Sequence, residues 1–234
     1  VTNKSTLTYA LSNVDIVYHL AAYQDYLPDY SSFSLINVAS TSLIYEIIEE
    51  YNLPVKKVIL ASSQAVMGEG KYHSQEGKVF FPSLRTLKQL SQAQWDFIDP
   101  ETDLPLIMDL SDENAINPMN PYAMSKYQQE MLAINLGNRI NIPSVAMRFS
   151  IVQGSRQSFY NAYSGACRIF SLSYFLDKQP TLYEDGNSIR DFVNIHDVVD
   201  ALVLVMEKED SNGQVYNVGG GQPHTVFEFA KAVA

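Results

Sequence analysis

The sequence contains a single cysteine, Cys167, and only four histidines among its 234 residues. One thiol cannot form an internal disulfide, and it cannot supply a cysteine-based zinc site. We interpret the histidines as surface or structural residues, so no metal site is predicted.

Positive charge is also scarce. Sixteen Lys and Arg face twenty-six Asp and Glu, which gives a formal net charge of −10 and a pI near 4.8. This balance argues against nonspecific nucleic-acid binding and against a basic membrane-binding patch. No apolar run approaches the ~18 residues of a membrane span, and residues 1–15 lack the build of a signal peptide. We therefore predict a cytoplasmic protein that binds neither nucleic acid nor a membrane.

Apolar segments in the first 150 residues alternate between strand-like and helix-like periodicity. Short buried strands are predicted at 14–22, 56–63 and 143–150, and helices at 33–50 and 120–139. This alternation is typical of an α/β fold with a doubly wound parallel sheet and right-handed crossovers. In such sheets ligands bind beyond the carboxyl ends of the strands.

The rest of the chain predicts a smaller α+β lobe. Its expected elements are a helix near 165–177, strands near 180–184 and 190–195, a helix at 197–207, a strand at 214–220 and a helix from Thr225. We expect two domains, residues 1–150 with an insert at about 69–112 and residues 151–234.

A tyrosine and a lysine lie four positions apart in "PYAMSK". Residues at this spacing share one helix face, so Tyr122 and Lys126 are predicted to be neighbours. The same spacing recurs at Tyr174 and Lys178, as chance would allow among fifteen tyrosines and ten lysines. Only the first pair begins a helix between two buried strands, one of which ends in Ser63 at the predicted ligand-binding edge.

These three residue types suit proton transfer. A free tyrosine has a pKa near ~10, and a neighbouring ammonium is needed to stabilise its phenolate at neutral pH. Lys126 can supply that charge, Ser63 can bond a substrate oxygen, and Tyr122 can then act as general acid and base. Spacing alone leaves a plainer alternative open, which is a solvated helix face beside a serine-rich strand end.

Several segments together resemble a known family. "DIVYHLAA", "NVAST", "ASSQAVMG" and "PYAMSK" resemble, in order, motifs of the extended short-chain dehydrogenase/reductases, specifically the NAD-dependent nucleotide-sugar epimerases and dehydratases. "MRFSIVQGSRQS", "DGNSIRDFVNIHDVVDA" and "YNVGGGQPHTVFEFA" resemble the later substrate-lobe motifs of that family. The resemblance implies a Rossmann-like sheet, bound NAD and a nucleotide-diphosphate sugar as substrate.

The resemblance also assigns roles to individual positions. It implies that Ser63, Tyr122 and Lys126 are catalytic. It implies cofactor contacts from Leu20, Ala21, Ala22, Asn37, Ala61, Ser62, Tyr122, Lys126 and Phe149. It implies substrate contacts from Ser63, Gln64, Gln157, Asn161, Tyr163 and Arg190, with Arg190 on the diphosphate. Relatives often form homodimers through helices equivalent to 33–50 and 121–139, and we expect the same here.

Departures from the family pattern narrow the expected reaction. Dehydratases follow the catalytic threonine with Asp-Glu, whereas this chain has Gln64 and Ala65, so 4,6-dehydration is not expected. The insert resembles that of the dTDP-L-rhamnose 4-epimerase group but lacks cysteine pairs. We therefore expect it to be held by packing around Trp95, Phe80 and Phe81.

The family opens with a strand and a glycine-rich loop that holds the cofactor pyrophosphate at a helix N-terminus. No such loop precedes Asp15, and we interpret the glycine run at 218–223 as a turn. The sheet is thus expected to be incomplete at its N-terminal side. We expect the chain to be an internal piece of a longer enzyme, with about 60 residues before it at roughly 30 per βαβ unit.

The resemblance favours an NAD-dependent nucleotide-sugar 4-epimerase that works through a transient 4-keto sugar. An NAD(P)-dependent nucleotide-sugar reductase is the alternative enzyme. A non-catalytic module that binds a sugar nucleotide is the alternative from another class. The lack of the glycine loop favours it, and the retention of Ser63, Tyr122 and Lys126 argues against it.

Overall fold

The computed structural model of the chain describes residues 1–160 and 165–234. It divides into two compact units. Unit 1 comprises Val1–Val66, Pro118–Phe149 and Asp197–Val218, and unit 2 comprises Met67–Asn117, Ser150–His196 and Gly219–Ala234. Each unit contains residues from before and from after position 150. The domain limits expected from the sequence stay a prediction.

The strands are β1 (Ile16–His19), β2 (Lys57–Ser63), β3 (Lys71–His73), β4 (Val79–Phe80), β5 (Ile107–Asp109), β6 (Ser144–Phe149), β7 (Ile151–Gln153), β8 (Ile189–Asn194), β9 (Val215–Val218) and β10 (Pro223–Thr225). The helices are α1 (Lys4–Leu11), α2 (Tyr30–Ser32), α3 (Ser40–Tyr51), α4 (Leu87–Ser91), α5 (Pro121–Arg139), α6 (Ala166–Phe175), α7 (Ile195–Glu207) and α8 (Val226–Val233). A π-helical segment, Phe33–Ala39, joins α2 to α3.

Unit 1 is built on a parallel sheet with the strand order β1-β2-β6-β9. The register places Ile16 of β1 beside Lys57 of β2, and Ser63 of β2 beside Phe149 of β6. Six of the seven β2 residues are buried, as expected for a parallel strand covered on both faces. The predicted doubly wound sheet is confirmed, and the predicted strands and helices of the first 150 residues are present with slightly different limits.

The core of unit 1 lies between the sheet and helices α3 and α5. The α3 residues Ile44, Ile47 and Ile48 recur at helical spacing and are at most 3% exposed. They form one cluster with Val58 and Leu60 of β2. Each buried aliphatic side chain contributes about 1.5–3 kcal/mol relative to an exposed one, so this face fixes α3 against the sheet.

Unit 2 contains two small sheets. The insert forms an antiparallel sheet in the order β4-β3-β5, and the second sheet has the order β10-β8-β7. The insert packs around Tyr72 and Phe97, whose rings meet edge to face with centroids 5.1 Å apart. Of the expected centre, Phe81 is 45% exposed and lies outside this packing, whereas Trp95 and Phe80 are partly buried, as Phe97 is.

The strand expected at 180–184 is absent. Residues 178–188 instead form an irregular connection with a turn near Tyr183. Glu184 and Gly186 both have positive φ, of 56° and 76°, which no extended strand contains. The strand expected at 190–195 is present as β8, and the one expected at 214–220 is shortened to β9.

A buried lysine holds the end of α7 in unit 1. Lys57 is 5% exposed, and its Nζ donates to the carbonyl oxygens of Val205 at 2.5 Å and Lys208 at 2.9 Å. It also donates to Oγ of Ser211 at 3.0 Å. The last carbonyls of a helix lack intrahelical partners and attract cations, so Lys57 serves as a C-terminal cap.

A second buried polar group is His19, the last residue of β1. It is 5% exposed, and its Nε2 lies 3.0 Å from Oγ1 of Thr41 and 3.3 Å from Nε2 of Gln129. Burial, with the nearby charge of Lys126, lowers the pKa of His19 to about 4. The imidazole is therefore neutral at pH 7, which agrees with its interpretation as a structural residue.

Replacing Lys57 by Met should lower the free energy of unfolding by about 1–3 kcal/mol, because the carbonyls of Val205 and Lys208 lose a charged donor and keep only Oγ of Ser211 as a side-chain donor. Lys56→Met is the matched control, since Lys56 is adjacent but its side chain is 74% exposed. Urea unfolding of both variants measures the difference. Equal effects of the two substitutions would contradict the capping role.

The depressed pKa of His19 makes the stability of the fold depend on pH. An unfolded histidine has a pKa near ~6.5, so the stability due to neutral His19 is fully present above that pH and is lost as pH falls towards 4. The loss should reach about 3 kcal/mol, since each unit of pKa is ~1.4 kcal/mol. Urea unfolding at several pH values should therefore show a shallower decline for His19→Gln. The exposed His196→Gln should keep the parent slope, and identical slopes in all three proteins would refute the assignment.

Candidate active site

The direction of helix α5 is determined by its connection to the next strand, β6. The helix leads into β6, which runs parallel to its neighbour β2, so α5 runs antiparallel to both and begins at the carboxyl edge of the sheet. Asn120 caps the helix, since its Oδ1 accepts from the backbone N–H of Ala123 at 2.8 Å. Pro121 occupies the first turn, where its missing N–H leaves no bond unmade. Tyr122 is thereby fixed at the edge where ligands bind in such sheets.

Lys126 lies one turn after Tyr122 on the same buried face. It is 2% exposed, and its Nζ donates to the carbonyl oxygen of Ala61 in β2 at 2.8 Å. The Nζ lies 5.9 Å from the centroid of the Tyr122 ring. The two side chains therefore face the sheet, which excludes the solvated helix face left open by the spacing.

Burial lowers the pKa of Lys126 to about 8, and the negative charge of Glu130 opposes that shift. The side chain is therefore mostly an ammonium at pH 7. A cation this close to a tyrosine stabilises the phenolate form.

Tyr174 and Lys178, which have the same spacing in the sequence, lie in different structural surroundings. Tyr174 lies in α6 and donates through its hydroxyl to the carbonyl oxygen of Ala230 at 3.1 Å. Lys178 follows the end of α6 and is exposed, so the two do not share a helix face. Their spacing is a coincidence of composition.

Ser63 ends β2 and is half-buried at the same sheet edge as Tyr122. Its Oγ accepts from the backbone N–H of Ala65 at 3.1 Å, which begins the 3₁₀ turn that contains the half-buried Gln64. Phe149, its register partner at the end of β6, is also half-buried. The edge thus combines a hydroxyl, a phenol and an ammonium.

The loop after β1 carries the expected cofactor residues Leu20, Ala21 and Ala22. Leu20 is 52% exposed, Ala22 is exposed and Ala21 is half-buried. Asn37 fixes this loop, because its Oδ1 accepts from the N–H of Tyr23 at 2.6 Å and its Nδ2 donates to the carbonyl of Tyr23 at 3.0 Å. Asn37, in the π-helical segment Phe33–Ala39, therefore fixes the backbone of this loop at Tyr23.

Asn37 is fully buried, and its amide also donates to Oγ of Ser125 at 2.9 Å. Ser125 in turn donates to the carbonyl oxygen of Tyr122 at 2.8 Å. All of these bonds go to protein atoms, so Asn37 links the loop after β1 to the first turn of α5. The cofactor contact expected of it stays a prediction.

The structure adds two residues that sequence reasoning missed. Glu130 and Arg148 form a buried ion pair, with Nε of Arg148 at 2.9 Å from Oε1 and Nη2 at 2.8 Å from Oε2. Ser62, which was expected to contact the cofactor, is buried and donates to Oε1 of Glu130. The available signal was spacing, because Glu130 follows Lys126 by four positions on the same helix face.

Of the expected substrate residues, Ser63 and Gln64 lie in unit 1, and Gln157 and Arg190 lie in unit 2. Arg190 is the second residue of β8, opposite His224 of β10, and its guanidinium is exposed. Gln157 lies half-buried after β7. Asn161 and Tyr163, also expected to contact substrate, lie outside the described residues.

The glycine run after β9 is a close-packed turn, as expected. A Cβ on Gly219 would lie 1.8 Å from Oδ2 of Asp191, and one on Gly220 would lie 2.1 Å from the carbonyl oxygen of Phe192. Asp191 also accepts from the N–H of Gly220 at 2.8 Å and from Oγ of Ser150 at 2.7 Å. Neighbouring protein atoms therefore leave no room for a side chain at positions 219 and 220.

Within residues 1–160 and 165–234, no group of three or more His, Cys, Asp or Glu side chains is placed to hold a metal ion. Across those same ranges, every helix is too short or too polar to cross a membrane.

Comparison with known proteins agrees with this arrangement. A family model described as the NAD dependent epimerase/dehydratase family matches residues 98–219. A relative named dTDP-L-rhamnose 4-epimerase, from Burkholderia thailandensis, is 32% identical over 223 residues, which cover 94% of this chain and 60% of the relative. The chain thus spans less than two thirds of that protein.

Solved structures show the same fold. UDP-glucose 4-epimerase from Thermotoga maritima, solved with UDP-glucose, gives a TM-score of 0.73 at 24% identity, over 99% of this chain and 64% of that one. UDP-glucuronic acid 4-epimerase from Bacillus cereus, solved with UDP-glucuronic acid and NAD, gives 0.70 at 23% identity, over 97% and 60%.

The family match covers just over half of the residues and includes the Tyr122–Lys126 helix, and the fold agrees with it over almost the whole chain. The resemblance seen in the sequence motifs is confirmed, and the chain belongs to the NAD dependent epimerase/dehydratase family.

Proposed function

We propose that this chain carries the catalytic residues of an NAD-dependent nucleotide-sugar 4-epimerase that acts through a transient 4-keto sugar. One observation carries the proposal: Lys126 is buried against Ala61 one helical turn from Tyr122, at the carboxyl edge of the sheet. The similar protein from Burkholderia thailandensis bears the name of a 4-epimerase, and the two structures cited above are also named 4-epimerases.

The residues of unit 1 fit the nicotinamide end of NAD. Lys126 is buried and has three N–H donors, of which Ala61 accepts one. The two other donors suit the hydroxyls of the nicotinamide ribose. Ala21 and Ala22 offer small side chains at the edge beside β1, where a ring can approach the backbone. Within residues 1–160 and 165–234, the glycine run at 219–221 does not offer a comparable site for the pyrophosphate, because Asp191 and Phe192 crowd Gly219 and Gly220.

The proposed mechanism begins with proton transfer. Tyr122, as the phenolate, takes the proton of the sugar 4-hydroxyl, and the ammonium of Lys126 stabilises the phenolate before the transfer. Ser63 donates a hydrogen bond to the same sugar oxygen and holds it in line. NAD, when bound, supplies the acceptor for the hydride that leaves C4 and later returns it. Tyr122 then gives its proton back after the 4-keto sugar has turned its other face, so protons and electrons balance.

Two side chains favour epimerisation over the dehydration that other family members perform. Water loss needs an acid and a base beyond Tyr122, and the positions after Ser63 hold Gln64 and Ala65, neither of which titrates. A reductase would differ by consuming reduced cofactor with each turnover. The proposed epimerase is redox-neutral.

We propose further that Arg190 contacts the diphosphate of the substrate, because its planar guanidinium matches phosphate oxygens. Gln157, Asn161 and Tyr163 are proposed to contact the rest of the sugar nucleotide. Homodimerisation through the helices at 33–50 and 121–139 is proposed as well. The outer positions Leu35, Met124 and Met131 of these helices are 43–57% exposed and would be covered by a partner.

Binding of a sugar nucleotide should depend on Arg190. Calorimetric titration of the chain with UDP- and dTDP-hexoses should give an affinity roughly 10- to 100-fold weaker for Arg190→Ala, because a charge-assisted contact is worth about 1.5–3 kcal/mol. Arg139→Ala, at the exposed end of α5, should bind as the parent chain does. If both variants bind equally, Arg190 does not hold the diphosphate.

Activity should depend on the Tyr122 hydroxyl. Tyr122→Phe in the protein as its gene encodes it should lower kcat for epimerisation by about 10²–10⁴, the usual contribution of general acid–base catalysis, with sugar-nucleotide affinity little changed. Tyr174→Phe, from the coincidental pair, should leave kcat unchanged. Interconversion of the 4-epimers of UDP- and dTDP-hexoses is the measurement, with the NADH concentration followed in the same reaction and expected to stay constant. Net consumption of NADH would instead support the reductase.

A further inference from the structure

Three side chains of α5 follow one another along its buried face. Tyr122, Lys126 and Glu130 are spaced at intervals of four, and each is at most 8% exposed. Lys126 and Glu130 contact consecutive residues of β2, since Lys126 bonds the carbonyl of Ala61 and Glu130 accepts from Oγ of Ser62. The carboxylate is thereby held one turn behind the ammonium.

The position of the Glu130 carboxylate is strongly determined. Two parallel hydrogen bonds from Arg148 of β6 and one from Ser62 of β2 fix it from two neighbouring strands. Bidentate pairing of this kind restricts the orientation of both side chains and also strengthens the interaction between them. The carboxylate cannot turn towards solvent, so its charge acts at one place.

The charges around Lys126 come from three elements. On β1, His19 is neutral at pH 7, because its pKa is about 4. On β6, Arg148 is positive, and its guanidinium lies against Glu130. On α5, Tyr122 and Glu130 lie one turn before and one turn after Lys126. Burial lowers the pKa of Lys126. Among these neighbours, Glu130 is the group whose negative charge raises the pKa of Lys126 against the effect of burial.

We propose that Glu130 is a positioning residue that acts through Lys126: its carboxylate, locked by Arg148 and Ser62, keeps the ammonium charged beside Tyr122. Glu130 lies two helical turns from Tyr122 and is not proposed to touch substrate or cofactor. It acts on the tyrosine only through the charge of Lys126. This inference rests on the proposed role of Lys126 as the cation beside the catalytic tyrosine. A purely structural pair would serve the fold without affecting the ionisation of Lys126.

The test reads Lys126 directly and needs neither NAD nor a sugar. The chain is labelled with lysine carrying ¹³C at Cε, the Lys126 resonance is identified from its loss in Lys126→Met, and its chemical shift is followed between pH 6 and 10.5. Glu130→Gln has the same shape without the charge, and Glu130→Asp keeps the charge on a shorter side chain. Glu130→Gln should lower the pKa of Lys126 by about one unit or more, a roughly tenfold weaker hold on the proton.

Glu130→Asp should stay within about half a unit of the parent, although it loses more of the contact geometry than Glu130→Gln. Glu46→Gln, an exposed carboxylate of α3, should leave the Lys126 titration unchanged. If Glu130→Gln titrates like the parent, or Glu130→Asp behaves like Glu130→Gln, the proposal is wrong and the pair is structural.

Glu130→Gln leaves the buried Arg148 without a counter-charge and could unfold the chain. The double variant Glu130→Gln/Arg148→Met removes both charges and provides the second measurement. Its reference is Arg148→Met alone, which differs from it only at position 130. A pKa of Lys126 below that of Arg148→Met supports the proposal, and a value equal to that of Arg148→Met overturns it. Because the titration is read without ligands, failure of the chain to bind NAD or a sugar nucleotide would bear on the proposed function alone.

Discussion

The hydrogen bond between Nζ of Lys126 and the carbonyl oxygen of Ala61 governs the candidate site. A buried ammonium is costly unless it is bonded, so α5 must lie where Lys126 reaches the last residues of β2. Once that contact is made, the helix N-terminus and Tyr122 are placed at the carboxyl edge of the sheet. The Asn37–Ser125 link then ties the loop after β1 to the same turn. One contact therefore sets the relative positions of three catalytic candidates and of the loop beside them.

The sheet of unit 1 was predictable because its central strands, β2 and β6, are buried on both faces. A segment such as Lys57–Ser63 appears in the sequence as a short unbroken apolar run, and the helices between such runs show regular apolar spacing. The Tyr122–Lys126 pair was predictable in position but ambiguous in meaning, since Tyr174 and Lys178 share its spacing. The structure separates the two pairs, because Lys126 is buried beside Tyr122 whereas Lys178 is exposed beyond the end of α6.

Other features depend on contacts between distant residues and leave little local signal. Glu130 and Arg148 read as ordinary surface charges until the fold brings them together in the core. Lys57 likewise reads as a polar start to a strand, whereas its Nζ caps a helix that begins about 140 residues later in the chain. The strand expected at 180–184 failed for a local reason, because the positive φ of Glu184 and Gly186 requires a turn. The insert packs around Tyr72 and Phe97, a choice among several aromatic residues that composition does not decide.

The three glycines after β9 differ in what they allow a mutating sequence. At 219 and 220 the limit is space, because even a methyl group would displace Asp191 or the backbone of Phe192. At 221 there is open space, and the limit is the backbone, whose φ of +77° asparagine or aspartate can also adopt. Neutral drift in this turn is therefore confined to its last position. Because Asp191 and Phe192 directly follow Arg190 in β8, a change at either of the other two would disturb the strand that presents the exposed guanidinium.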